Sequence, residues 1–221
     1  MKMLSSMKND DDYSVGAGWG DKYRPRTLED CVLPRPVKTR FITMRDSGSG
    51  PHLLFFGTPG TGKTTTARLL NPDNTLHFNA SMIGNDTFSS SEFGAALSSL
   101  GLYGRHRRRV ILLDEADALT ERAQKTLRGR MEESAAICQF ILTVNALDAI
   151  VPAIQSRCFL TNFNVRKEEI PEMKDDFVRR CLEICQREHG SIAPAEIRRI
   201  VDERFPDYRG ILNALQYLAM T

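Results

Sequence analysis

The chain has 221 residues, of which 41% are hydrophobic and 26% charged, and its formal net charge is +2. That length accommodates one large domain or a medium domain with a small companion, and the near-neutral balance excludes a global polyanion-binding surface, so any nucleic-acid contact has to be local. Five cysteines without a C-x-x-C pair argue for free thiols in a reducing cytoplasm, and a membrane partner is not expected, since no apolar run approaches the roughly 18 residues a span requires and the N-terminus has no signal-peptide core.

In chain order, residues 1–20 are polar, with Asn9-Asp10-Asp11-Asp12 and a glycine-rich run, and are expected to be a disordered leader. Asp21 to Pro34 reads as extended chain and turn, because Pro25 biases Arg24 away from helix. A short amphipathic helix is expected from Arg35 to Asp46, closed by Ser47-Gly48-Ser49-Gly50-Pro51. The apolar run Leu53-Leu54-Phe55-Phe56 predicts a buried strand, and it delivers the chain into Gly57-Thr58-Pro59-Gly60-Thr61-Gly62-Lys63-Thr64. This stretch fits G-x-x-x-x-G-K-[ST] at every fixed position, and a helix over Lys63 to Leu70 is expected to follow.

Further strands are predicted at Thr75 to Asn79, Val110 to Leu113, Cys138 to Val144 and Phe159 to Phe163, and helices at Ser91 to Leu100 and Thr120 to Glu133. Continuous apolar strands alternating with helices predict an α/β fold, a P-loop NTPase parallel sheet covered on both faces. After Val165 the pattern becomes helical only, with segments at Lys167 to Glu188, Ala195 to Phe205 and Tyr208 to Met220. The expected organisation is therefore a leader over 1–20, an ATPase α/β domain over 21–164 and a small three-helix lid domain over 165–221.

The chemistry follows from residue types and spacing. Gly57, Gly60 and Gly62 permit the positive φ angles that let backbone N–H groups surround phosphate oxygens. With Thr58, Pro59, Thr61, Lys63, Thr64 and Thr65 they form the expected nucleotide-binding set: Lys63 to neutralise the β- and γ-phosphates of ATP, Thr64 to ligate Mg²⁺. The run Val110-Ile111-Leu112-Leu113 carries Asp114-Glu115 to the carboxyl edge of the sheet, Asp114 as a metal ligand and Glu115 as general base toward the attacking water. Asn145 ends the next apolar strand, where its amide can meet the γ-phosphate or serve as a turn residue. Arg157 and Arg209 read either as surface arginines or as phosphate-directed groups. Cys181 and Cys185, one turn apart, fit a packed helix face better than a metal site.

The ensemble resembles the AAA+ family, specifically the small ATPase subunits of DNA polymerase clamp loaders, replication factor C small subunits and their tailed-phage counterparts. The resemblance rests on Lys22-Tyr23-Arg24-Pro25, Phe78-Asn79-Ala80-Ser81, Gln124 to Glu132, Thr143-Val144-Asn145, Gln155-Ser156-Arg157-Cys158 and Phe205 to Asn213, in family order from about Lys22 onward. Cys31-Val32-Leu33-Pro34 leans toward the phage branch, which would place the protein in a host cytoplasm. The resemblance implies that Arg24 lies beside the adenine, that Asn145 and Arg209 are the two γ-phosphate sensors, and that Arg157 is an arginine finger acting in trans on the next subunit. Arg128 is implied at the same interface, and Gln124 as a link between the acidic pair and DNA-facing helices. The implied partners are a sliding clamp, primer–template DNA touched on its backbone, and other loader subunits in a pentameric ring.

Two departures stand out. Met82-Ile83-Gly84-Asn85 replaces the charged residues that the family carries after its Asn-Ala-Ser, and no collar domain is expected after the lid. Arg105 to Arg109 forms a local basic cluster that reads as a phosphate-contacting or a solvated loop. Alternative readings are a helicase, because Asp114-Glu115-Ala116-Asp117 also spells a helicase signature, a branch-migration motor, or a nucleotide-gated assembly module.

Overall fold

The structure, a computed structural model, describes residues 18–82, 108–188 and 192–220. The helix expected at Ser91 to Leu100, most of the basic cluster and all but Met82 of the Met82 to Asn85 departure lie outside the described residues. The chain divides into two compact units, Pro25–Glu169 and the chain up to Arg24 taken with Ile170–Thr221.

The first unit is built on five parallel strands, β1 (His52–Phe56), β2 (Thr75–Asn79), β3 (Arg109–Asp114), β4 (Cys138–Val144) and β5 (Cys158–Asn162), in the order β2-β3-β4-β1-β5. Alternate residues of each strand face opposite layers. Leu54, Ile111, Leu113, Phe140 and Leu142 pack with Ala123, Leu127 and Met131 of helix α4 (Glu121–Glu133). On the other face Leu53, Phe55, Leu112 and Ile141 pack with Phe41 of α2 (Arg35–Ser47) and Ala67 of α3 (Lys63–Leu69). Burial on both faces is why the three inner strands β1, β3 and β4 are apolar runs in sequence. Helix α4 starts where Thr120 accepts the Ala123 N–H. Its buried face repeats every four residues at Ala123, Leu127 and Met131.

The second unit is helical in its described residues: α6 (Ile170–Arg187), α7 (Pro194–Arg204) and α8 (Tyr208–Ala219). Its core comes from Met173, Phe177, Cys181, Ile184 and Cys185 on α6, Ile197, Ile200 and Val201 on α7, and Ile211, Leu212 and Leu215 on α8. Cys181 and Cys185 are buried members of that packed face, and burial pushes the Cys181 thiol up to about 12.

Two short helices escape the sequence pattern, since neither completes enough turns to show a period. Helix α5 (Pro152–Gln155) precedes β5. Helix α1 (Trp19–Lys22) begins inside the stretch expected as a leader, and Trp19 is 95% buried. The Trp19 N–H donates to Gln216 (2.8 Å) and the Gly20 N–H to Asn213 (3.2 Å), both on α8. Lys22 and Tyr23 donate to Glu188, and Arg180 donates to the Tyr23 carbonyl. Of the basic cluster, Arg108 donates to the carbonyls of Gly50, Ala135 and Cys138, and Arg109 donates to Asn74. These two arginines tie loops together instead of facing solvent as a phosphate-binding loop would.

Candidate nucleotide-binding site

The parallel register brings the carboxyl ends of β1, β3 and β4 side by side. Phe56 pairs with Val144, Phe55 with Thr143, and Leu113 with Leu142. The segments that leave these ends are therefore neighbours, as ligand sites in open α/β sheets require. After β1 the chain turns through Gly57, Gly60 and Gly62 at φ 145°, 80° and 91°, all positive, before α3 begins at Lys63. At Gly57 a side chain would also meet the Asn164 nitrogen at 3.0 Å, and the Asn164 carboxamide accepts the Thr58 N–H (2.9 Å). Asn164 therefore anchors the loop to the end of β5. Within the loop, the buried Thr61 hydroxyl donates to the Thr58 carbonyl (2.9 Å).

Lys63 is buried, and its ammonium donates to the carbonyls of Gly57 (2.6 Å) and Thr58 (2.9 Å) and to Asn145 Oδ1 (3.3 Å). Burial lowers its pKa, opposed by the carboxylates of Asp117 and Asp114. The Thr64 hydroxyl donates to Asp114 Oδ1 (2.7 Å), and the Thr143 hydroxyl donates to the same oxygen. His77 Nε2 stands 3.5 Å from Asp114 Oδ2. Burial alone would raise the Asp114 pKa; hydrogen bonds from His77, Thr143 and Thr64 outweigh it and hold the carboxyl at about 2. The ionised carboxylate beside a threonine hydroxyl is a pair of hard oxygen donors of the kind Mg²⁺ takes, so the residues present fit that ion.

Glu115 follows in the left-handed region, φ 56° and ψ 42°, the one non-glycine with positive φ among the described residues. Such a conformation costs on the order of 1–2 kcal/mol. It is held by the Glu115 N–H donating to Thr143 (3.2 Å) and by the tight turn Ala116–Ala118. The result presents an exposed Glu115 at the sheet edge next to Asp114. Asn145 is fixed by Asp117, whose Oδ2 accepts both its backbone and its side-chain N–H groups at 3.2 Å.

Lys63, Thr64, Asp114, Glu115 and Asn145 thus converge at one edge of one unit. Sequence reasoning missed four residues that hold them: His77, Asp117, Thr143 and Asn164. Asp117 is visible in the acidic run, and Thr143 in the strand that ends at Asn145; nothing in a linear pattern marks His77 or Asn164 as their partners. Gln124, buried, donates to the carbonyls of Leu119 (3.1 Å) and Ala149 (2.9 Å) and accepts the Val151 N–H (2.8 Å). It joins the helix after the acidic pair to the segment after β4.

Arg157 and Arg128 do not join this cluster. Strand β5 runs parallel to β1 with Cys158 opposite His52 and Asn162 opposite Phe56. At about 3.3 Å per residue, Arg157 lies on the order of 16 Å along the sheet from the phosphate loop of its own chain. There it contacts Glu132 and the Ala153 carbonyl. Arg24 and Arg209 belong to the other unit: Arg24 pairs with Asp21 (2.7 Å), and Arg209 is the second residue of α8.

The model of the family described as ATPase family associated with various cellular activities (AAA) matches residues 53–165. A replication factor C small subunit of Archaeoglobus fulgidus is 37% identical over 209 residues, spanning 90% of this chain and 62% of that protein. A replication factor C small subunit of Methanococcus maripaludis is 36% identical, spanning 91% of this chain and 64% of that protein. A sliding-clamp-loader large subunit of Enterobacteria phage T4 is 35% identical, spanning 88% and 62%. The chain spans just under two thirds of the length of these relatives. Among solved structures, a variant of Thermotoga maritima RuvB superposes with a TM-score of 0.68 over 87% of this chain and 64% of that one, at 17% identity, a likeness of fold alone.

Proposed function

The chain belongs to the AAA family of ATPases, and on that premise we propose that it is the ATP-hydrolysing motor subunit of a DNA polymerase sliding-clamp loader. One observation carries the catalytic part: a phosphate loop, its lysine, a hydroxyl–carboxylate pair and a second acid meet at one sheet edge. The named relatives, two replication factor C small subunits and a phage sliding-clamp-loader subunit, supply the setting.

In this reading the N–H groups of Gly60 to Thr65 hold the triphosphate of ATP in the loop that Gly57, Thr58 and Pro59 open, and Lys63 transfers its hydrogen bonds from the loop carbonyls to the β- and γ-phosphates. Thr64 and Asp114 would hold Mg²⁺, which when bound neutralises phosphate charge. Glu115 accepts the proton of the water that attacks the γ-phosphorus, and ADP departs as the bond to the γ-phosphate breaks. Asn145 orients the water or the γ-phosphate. Arg24 is assigned to the adenine side, and Arg209, at the head of the lid's last helix, to the same chain's γ-phosphate. Arg157 and Arg128 are assigned to the neighbouring subunit's nucleotide, as the separation along the sheet requires of Arg157 if it is to meet a phosphate at all.

The proposed cycle has ATP binding assemble a ring, pentameric by analogy, that opens the clamp. Primer–template DNA, held by its backbone, then triggers hydrolysis and release in the cytoplasm. The test is steady-state ATP turnover with partner subunits present. Clamp and primed DNA together are expected to raise it severalfold, and Glu115→Gln to lower it at least about 100-fold. Turnover indifferent to clamp and DNA sinks the loader assignment; turnover indifferent to Glu115→Gln sinks the catalytic one.

A further inference from the structure

Helix α4 ends in two acidic residues, Glu132 and Glu133. Carboxylates at a helix C-terminus sit against the negative end of the helix dipole, so they are unfavourable there unless a cation meets them. Glu133 meets Arg130 within the helix (3.1 Å). Glu132 instead reaches across to another element: its Oε1 accepts from Arg157, 25 residues later, and the same oxygen lies 4.0 Å from Arg128 Nε. The other arm of the Arg157 guanidinium donates to the carbonyl of Ala153, the second residue of α5 (2.5 Å), to which the Ser156 hydroxyl also donates (3.2 Å). Both arginines assigned to the neighbouring nucleotide are thus gathered around one carboxylate.

A guanidinium carries five N–H groups in a rigid planar fork. The two contacts on Arg157 engage one N–H on each terminal nitrogen. They fix the plane of the fork without exhausting its donors, which is what an arginine that must meet a phosphate on another molecule needs: its orientation is settled before the encounter. An exposed ion pair contributes little to fold stability. Glu132 and Arg157 are 49% and 35% exposed, so their pairing is better explained by orientation than by stability.

We infer that Glu132 is the positioning residue for the trans-acting arginine: it holds Arg157 in the orientation that completes the next subunit's ATP site and draws Arg128 to the same place. The inference rests on the proposed trans role of Arg157. It attributes to Glu132 no contact with nucleotide and no effect on the nucleotide pocket of its own chain.

The experiment uses the full-length chain assembled with its partner subunits, comparing Glu132→Gln, Glu132→Ala, Glu132→Asp, Arg157→Ala and the Glu132→Gln/Arg157→Ala double variant. Assembly is checked by sedimentation in ATP, and nucleotide affinity is measured on each isolated chain. Glu132→Gln and Glu132→Ala are expected to lower kcat about tenfold with KM and isolated-chain affinity unchanged, Glu132→Asp to recover part of the loss, and the double variant to match Arg157→Ala alone. Wild-type kcat in Glu132→Gln, or a double variant whose losses multiply, overturns the inference while leaving the trans arginine standing. Wild-type kcat in Arg157→Ala removes the trans role itself, and the inference with it. A Glu132→Ala chain that fails to assemble is set aside for the near-isosteric Glu132→Gln, on which the same criteria apply.

Discussion

Asp117 lies outside the nucleotide loop, yet it decides which way the Asn145 carboxamide points. One of its oxygens takes the backbone N–H of Asn145 and one from its carboxamide, leaving the amide oxygen toward Lys63. Asp117→Ala frees that amide to rotate, so kcat for ATP hydrolysis is expected to fall about tenfold, roughly 1.4 kcal/mol of transition-state stabilisation, with nucleotide affinity within about twofold of wild type. Steady-state kinetics with nucleotide titration check it, and an unchanged kcat removes Asp117 from the site. A second residue-scale consequence concerns acid. His52 is buried, its Nδ1 accepts the Phe140 N–H (3.0 Å), and burial, with the nearby Arg108 charge, lowers its pKa. The unfolded chain therefore takes up that proton first, and the stability present above the free histidine value of about 6.5 is lost as pH falls below it toward the folded value. Denaturant unfolding at pH 7 and pH 5.5 should show this slope in the wild type and a flatter one in His52→Asn, whose amide oxygen can take the same N–H without titrating.

Among the elements, α1 shows how little sequence a decisive contact needs. Four residues lie against α8, and a side chain added at Gly20 would come within 2.9 Å of both Arg209 Cγ and Asn213 Oδ1. Helix propensity favours alanine over glycine by about 1 kcal/mol. Overpacking costs typically about 1–3 kcal/mol. Gly20→Ala is thus expected to destabilise by about 1 kcal/mol net, in spite of the propensity gain, and to displace the Arg209 stem. Thermal unfolding measures the first, and a stabilised variant would show that α1 does not press on Arg209. The sheet makes the complementary case. A one-residue slip of β3 against β4 would turn Ile111 and Leu113 to the opposite layer and move Asp114 off Thr143, so the same two-sided packing that stabilises the strands also aligns the site.

At the scale of the whole molecule, Arg157 lies far along the sheet from its own phosphate loop, so the trans role proposed for it would make activity a property of more than one chain. Per-chain ATP turnover is therefore expected to rise with protein concentration and plateau once the assembly is saturated, whereas nucleotide binding by the isolated chain should not depend on concentration. A dilution series of both quantities checks it, and turnover as fast in the dilute monomer as in the assembly would refute the shared site.

The sequence alone determined what is local or periodic. The glycine spacing fixed the loop, the strand patterns fixed five parallel strands, three of them buried, to within a residue or so at each end, and Asp114-Glu115 at the end of an apolar run marked the sheet edge, because backbone sterics and two-sided burial leave few other uses for those patterns. Tertiary structure decided the pairings: Asp117 with Asn145, Thr143 and His77 with Asp114, Asn164 with the loop, Glu132 with Arg157, and Trp19 with the last helix instead of a leader. Each joins groups that lie far apart in the chain, or turned toward each other by a backbone bend, and which of many polar residues meet is set by strand order, register, helix packing and the left-handed turn at Glu115, none of which leaves a period in the sequence.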